Sequence, residues 1–193
     1  MPGATAPSFL FSFLGSQPVH TARAVHIRRL YDILLLSLQT DDYRRAQNAY
    51  AILLRCKEID WKELWKLGVY LLGKQDVGRD VEFLRAMLLQ HPNEREAIMQ
   101  ELVLALVRAN CEREALDELE LYLPSFPYQD NPALHTYAGI ICIHLAGQER
   151  EQTPFTSFRL RIAQGYFERA RQLDPENGVA QAFLEKVRIQ RRI

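Results

Sequence analysis

Apolar residues recur every three or four positions along most of this chain, which is the spacing of one face of an α-helix. The first clear stripe consists of Leu30, Ile33, Leu34 and Leu38. It predicts a helix from about Thr21 to Gln39, and Asp41 offers an N-cap for a second helix. Because the connection is short, we expect the two helices to form an antiparallel pair.

The helical spacing continues to the C-terminus, and no strand-like alternation interrupts it. Further helices are expected over residues 60–74, 79–91, 93–110, 112–123, 132–146, 157–173 and 177–191. Each is bounded by Asp, Asn, Gly or Pro, which are common at helix ends. The predicted fold class is therefore all-α.

Three prolines divide the predicted helices into repeating pairs. Pro92, Pro127 and Pro175 follow second helices and are separated by 35 and 48 residues. This indicates the tetratricopeptide (TPR) length of about 34 residues, with one insertion. We expect a right-handed α-solenoid of about four TPR-like hairpins over residues 20–193, with an insertion at about 147–157 and a C-terminal capping helix.

All four predicted units carry recognisable repeat residues. The last unit matches the pattern most fully, at Ala163, Phe167, Ala170, Leu173, Asp174 and Pro175. In the second unit, Gly68 takes the small position of the first helix, where we expect it to let two helices approach closely.

Residues 1–19 are rich in Pro and Gly and read as a flexible leader. Phe9, Phe11 and Phe13 stand at alternate positions and form one stripe if the leader is extended, which makes them a candidate segment for docking on a partner. No Lys or Arg precedes this apolar stretch, which argues against a secretory signal.

Composition narrows the possible functions. The 193 residues include 24 Lys and Arg against 24 Asp and Glu, so the formal charge is zero, whereas an autonomous nucleic-acid binder needs a basic footprint. The three cysteines form no CxxC pair, which disfavours a disulfide framework or a zinc site and indicates a reducing compartment. The longest apolar runs fall far short of the ~20 residues of a membrane span.

The chain lacks the motifs of common catalytic and cofactor sites, such as G-x-S-x-G, HExxH, a P-loop or G-x-G-x-x-G. His135 and His144 are nine residues apart and face different directions, so they are not expected to form a ligand pair. We interpret the three cysteines as small buried hydrophobic residues, namely Cys56, Cys111 and Cys142. We expect no enzymatic activity, no metal and no cofactor.

The remaining candidates are binding residues. Trp61 and Trp65 are four residues apart, and they are either the anchor of a joint between repeats or a partner hot spot. The basic clusters are Arg28, Arg29, Arg44, Arg45, Arg188, Arg191 and Arg192. The first two pairs would contact phosphate or an acidic partner if they converge across one hairpin, and the C-terminal group would help to steer an assembly toward DNA. TPR arrays often bind the carboxylate of a peptide through Lys and Asn on their inner helices. Such a clamp for chaperone tails is disfavoured here, because Lys66 is the only residue that brings positive charge to the corresponding positions.

A resemblance to a known family is carried by residues 26–34 (HIRRLYDIL), 42–46 (DYRRA), 53–61 (LLRCKEIDW) and 64–68 (LWKLG). Together these are similar to the TPR subunit of the RNA polymerase I core factor, which has a counterpart in the metazoan selectivity factor. The resemblance implies a non-enzymatic scaffold in the nucleus and nucleolus that helps to recruit polymerase I to rRNA gene promoters.

The same resemblance implies the partners. They are a β-propeller-containing subunit, a TFIIB-like subunit and the TATA-binding protein, with RNA polymerase I and promoter DNA reached through the assembly. The alternative hypothesis is a generic TPR adaptor that binds a linear peptide motif in an unrelated complex.

Overall fold

The computed structural model describes residues 21–75, 78–148 and 154–190, and these residues are helical with no β-strand, as predicted. They form nine α-helices and two short 3₁₀ helices, Pro92–Glu94 and Tyr128–Asp130. The α-helices are α1 (Ala22–Gln39), α2 (Tyr43–Leu54), α3 (Trp61–Gln75), α4 (Arg79–Gln90), α5 (Arg95–Arg108), α6 (Glu112–Tyr122), α7 (Pro132–Gln148), α8 (Pro154–Leu173) and α9 (Gly178–Gln190).

Several predicted helix bounds differ from those of the structure by one to three residues, and two of the helix starts have a clear local cause. Asp42, not Asp41, caps α2, since its side chain accepts a hydrogen bond of 3.1 Å from the Arg45 N–H. Asp41 instead adopts a left-handed backbone with φ of 56°, which Asp tolerates better than most residues. Helix α8 begins at Pro154 rather than residue 157, because a proline is well suited to the first helical position.

The chain divides into two compact units, Met1–Arg79 and Asp80–Ile193. In the first unit, α1 and α2 pack as an antiparallel pair and α3 packs on α2. The core of this unit is formed by Leu30, Leu34, Ala46, Ala49, Tyr50, Leu53, Leu64 and Leu71. These residues include Leu30 and Leu34 of the predicted stripe, which confirms that face of α1 as the buried one.

Gly68 allows the close approach of α2 and α3 that its place in the repeat predicts. The Tyr50 hydroxyl of α2 lies against Gly68 and donates a hydrogen bond of 3.2 Å to the Leu64 carbonyl of α3. A Cβ atom at Gly68 would lie 2.3 Å from that hydroxyl oxygen. Any side chain at this position would therefore push the two helices apart.

In the second unit, α5 pairs with α6 and α7 pairs with α8, while α9 packs on α8. One core cluster of this unit consists of Cys142, Ala163, Phe167, Ala170, Ala180, Leu184 and Val187. Phe167 stacks on Phe183 with ring centroids 5.6 Å apart, and its ring lies against Gly139 of α7. The repeat residues recognised in α8 are thus the ones that join three helices.

The cysteines differ in exposure. Cys142 is buried, as expected, and burial raises the pKa of its thiol to about 12. Cys56 and Cys111 are only partly buried, which corrects the expectation for those two. The reason is their position at helix ends, since Cys56 follows α2 and Cys111 precedes α6.

We expect iodoacetamide to alkylate Cys56 and Cys111 in the folded protein while leaving Cys142 unmodified, because only the accessible thiolate reacts. Mass spectrometry of tryptic peptides measures the labelling at each position. All three cysteines should be labelled in concentrated urea, which serves as the control. Labelling of native Cys142 as fast as that of Cys56 would contradict the observed packing of α7.

Candidate functional site

An open cleft lies in the first unit, beside the N-terminal half of α1. It has a volume of about 570 Å³ and is bordered by α1, by the connection between α2 and α3, and by the start of α3. The Thr21 side chain at its edge caps α1 by accepting a hydrogen bond of 3.2 Å from the Ala24 N–H. The volume is in the range of pockets that bind small ligands or a few side chains.

The floor of this cleft is apolar. It is formed mainly by Ala24, Ile27, Tyr31, Ile59 and Leu64. Leu64 belongs to the core of the unit, and Ile27, Tyr31 and Ile59 pack against that core. Because these side chains are held by the core, the floor is preformed rather than assembled by a ligand.

The rim of the cleft is charged but balanced. Arg23 donates two hydrogen bonds to the Glu58 carboxylate. Its Nε donates to one oxygen, and its Nη2 donates to the other at 3.0 Å. Arg28 Nε lies 3.9 Å from Asp32 Oδ1, and the Asp60 side chain caps the start of α3 by accepting from the Lys62 N–H at 3.0 Å. This arrangement suits an uncharged, apolar segment rather than a carboxylate or phosphate.

The Arg23 guanidinium, chiefly through its hydrogen bonds, holds the pKa of the Glu58 carboxyl well below its usual 4.5, at about 2. Because the folded-state value is the lower one, the pair stabilises the fold above about pH 4.5, and this contribution is lost as the pH falls toward about 2. Both side chains are about half exposed, so solvent screening keeps the contribution of this pair to stability small.

Replacing Arg23 should therefore restore an ordinary titration of Glu58. We expect Arg23→Gln to raise the midpoint toward 4.5, as measured by NMR of the carboxyl carbon. Arg55→Gln removes the same charge from the neighbouring connection and should leave the midpoint low. An unchanged midpoint in Arg23→Gln would show that the two side chains are not paired in solution.

The two arginine pairs of the first hairpin lie at different heights along it. Arg28 and Arg29 lie in the first half of α1, whereas Arg44 and Arg45 lie in the first turn of α2. Because the helices are antiparallel, the pairs stand roughly 14 Å apart along the hairpin at 1.5 Å per residue. Phosphate or acidic-partner contacts by either pair alone stay a prediction.

The two tryptophans of α3 differ in exposure. Trp65 is 5% exposed, whereas Trp61 is only partly buried. The burial of Trp65 favours an anchoring role inside the fold over a role as a partner hot spot. Partner contact by Trp61 stays a prediction.

Several other candidates lie outside the residues that the structure describes. They are Phe9, Phe11 and Phe13 of the leader, Arg191 and Arg192, and the side chain of Arg188. The proposed roles of these residues in docking and in steering toward DNA stay predictions.

The two histidines of α7 have separate surroundings, as their spacing predicts. His135 is buried, its Nε2 lies 2.9 Å from the Gln129 carbonyl, and burial lowers its pKa. His144 Nε2 lies 3.4 Å from a carboxylate oxygen of Glu112.

Across residues 21–75, 78–148 and 154–190, no group of three or more His, Cys, Asp or Glu is placed to hold a metal ion. In the same ranges, no helix combines the length and apolar character needed to span a membrane.

Sequence reasoning missed the cleft itself. Arg23 and Glu58 are 35 residues apart, and Ile59 lies in a connection that carries no helical stripe. A usable signal was present, because 35 residues is close to the repeat length and complementary residue types one repeat apart are expected to meet.

The comparisons with known proteins agree with the resemblance noted in the sequence. The family described as RNA polymerase I-specific transcription initiation factor Rrn11 matches residues 11–107, which is about half of the chain. The RNA polymerase I-specific transcription initiation factor rrn11 of Schizosaccharomyces pombe is 28% identical over 152 residues, covering 73% of this chain and 76% of that protein. No solved structure gives a significant match. The matched family region contains the whole cleft.

Proposed function

Because the chain belongs to the Rrn11 family of RNA polymerase I-specific transcription initiation factors, we propose that it is a non-enzymatic scaffold subunit of the RNA polymerase I core initiation factor. In this role it bridges partner subunits and helps to recruit polymerase I to the rRNA gene promoter. The family match over residues 11–107 is the observation that carries the proposal. It implies a nuclear location, and we propose the nucleolus as the site of action.

We also propose that the helices stack as a right-handed α-solenoid of about four TPR-like hairpins, with α9 as the cap. Side chains that pair one repeat apart support this arrangement, since Glu96 accepts a hydrogen bond from Asn131, 35 residues away, as Glu58 does from Arg23. Partly exposed apolar side chains also recur every 34 residues on first helices, at Leu36, Tyr70 and Leu104. Such a repeat exposes equivalent positions to partners.

The proposed partners are the TFIIB-like and propeller-containing subunits of the core factor and the TATA-binding protein. Their association with this chain depends on apolar contacts more than on charge, because the chain has a formal charge of zero and the cleft pairs its rim charges. For the same reason, promoter DNA is engaged chiefly by the assembly rather than by this chain alone.

Affinity purification of the tagged chain from its own cells, followed by mass spectrometry, tests the proposal. We expect the TFIIB-like and propeller-containing subunits to co-purify at moderate salt, which preserves charged contacts at the rims of interfaces. A tagged chain with Leu34→Asp in the core of the first unit serves as the unfolded control and should lose both. Recovery of an unrelated complex without these subunits would instead identify a generic peptide-binding adaptor.

A further inference from the structure

We propose that the cleft beside α1 is the docking site of the chain's own leader, with Phe9, Phe11 and Phe13 as the anchoring side chains. This inference concerns a contact within the chain, so it goes beyond the proposed function and holds or fails independently of it. The occupant is therefore residues 9–14 of the same molecule rather than a segment of a partner.

The leader ends where the cleft begins. Thr21 lines the cleft and is the N-cap of α1, so the leader joins the described part of the chain beside the site. The seven residues 14–20 reach about 23–25 Å when extended, whereas α1 extends about 15 Å from Thr21 to Tyr31. Gly15 and Pro18 lie between the aromatic segment and α1, and both residue types favour chain reversal. The segment can therefore return along the cleft.

The chemistry of the segment matches that of the cleft. Residues 1–20 contain no Asp, Glu, Lys or Arg. The floor of the cleft is apolar, and Arg23 on its rim is already paired with Glu58. An uncharged segment can cover this surface without removing an unpaired charge from water, which would oppose docking.

The spacing of the three phenylalanines also fits one apolar floor. In an extended segment, alternate side chains point to the same side, so Phe9, Phe11 and Phe13 would face the cleft together. Leu10 and Ser12 would face away from it. A volume of about 570 Å³ accommodates a few large side chains but not a folded element.

Covalent attachment favours this occupant over a segment from another protein. A connection of only seven residues gives the attached segment an effective concentration in the millimolar range, so even a weak contact is largely occupied. Docking would also shield three closely spaced aromatic side chains from solvent, where they would promote aggregation. A competing segment must displace the leader first.

Photo-crosslinking of the full-length chain tests the contact. Phe11 is replaced by p-benzoylphenylalanine, which retains an aromatic ring, and the irradiated protein is digested and analysed by mass spectrometry. We expect crosslinks within one chain to peptides that contain Tyr31 or Ile59. The same replacement at Leu10, on the opposite side of the segment, is the matched control and should give a several-fold lower yield at these peptides.

Two further variants test the chemistry of docking in the Phe11-substituted chain. Ile59→Glu places a charge on the floor and should reduce the crosslink yield several-fold, whereas Ile52→Glu makes the same change at a position that is 44% exposed and outside the cleft. If circular dichroism shows that Ile59→Glu does not fold, the pair Phe9→Asp and Phe13→Asp replaces it. Ser8→Asp with Ser12→Asp is then the control of equal charge.

Three results would overturn the proposal. They are crosslinks that join two chains, equal yields from positions 10 and 11, and crosslinks that form only with co-purified partner subunits. The last result would support the alternative that the leader docks on a partner. The first two results do not bear on whether the core-factor subunits co-purify, and the third requires that they do, so failure here is distinguishable from failure of the proposed function.

Discussion

Phe167→Ala is expected to lower the free energy of unfolding of the second unit by about 3–5 kcal/mol, the cost typical of truncating a buried aromatic side chain. Phe167 is 0% exposed and stacks on Phe183 with ring centroids 5.6 Å apart. Its ring also fills the space above Gly139, where a Cβ would lie 2.6 Å from the ring. Truncation therefore leaves a cavity between α7, α8 and α9.

Urea unfolding monitored by circular dichroism measures this loss. Phe158→Ala is the matched control, because Phe158 lies on the same helix but is 57% exposed, and its replacement should change stability by less than about 0.5 kcal/mol. Equal effects of the two substitutions would mean that α8 does not bury the face seen in the structure.

Gly68→Ala should lower the free energy of unfolding of the first unit by about 2–4 kcal/mol, combining overpacking with the loss of one buried hydrogen bond. The added Cβ would lie 2.3 Å from the Tyr50 hydroxyl oxygen and 2.7 Å from the ring carbon that bears it. Tyr50 is buried and its hydroxyl is held by the Leu64 carbonyl, so the ring cannot move aside without losing that bond.

A second substitution distinguishes this clash from the general effect of a glycine in a helix. Tyr50→Phe removes the nearest atom and should recover part of the loss in the Gly68→Ala background, but not all of it, because the ring carbon remains close. Gly165→Ala is the control, since no atom lies within 4 Å of its added Cβ, and it should stabilise α8 by about 0.5–1 kcal/mol. If Gly68→Ala also stabilises the protein, the observed packing of α2 on α3 is wrong.

These two sites show how the repeat pattern acts in the folded chain. Gly68 and Phe167 were both recognised as repeat residues, and both lie where helices from neighbouring segments meet. In each place a large aromatic side chain from one helix covers a glycine of another. The repeat pattern thus marks residues at which helices pack together rather than residues of a catalytic site. This agrees with membership in a family of initiation factors.

The helical fold, the approximate helix bounds and the family were all predictable from the sequence alone. Helical spacing is a local property, because each apolar stripe reflects the face that its own helix buries. The buried face of α8 was therefore predictable from its match to the repeat pattern, and Ala163, Phe167 and Ala170 are all fully buried. Whether Asp41 or Asp42 caps α2 was not predictable, since it depends on a single backbone angle in the turn.

The packing of the helices in three dimensions sets which distant side chains meet. It separated Arg28 and Arg29 from Arg44 and Arg45, because an antiparallel hairpin places the beginnings of its two helices at opposite ends. It also brought Arg23 to Glu58 across 35 residues and formed a cleft there. The spacing of residues along one helix carries no information on how far its neighbour is shifted or rotated, and the packing of whole side chains sets those quantities.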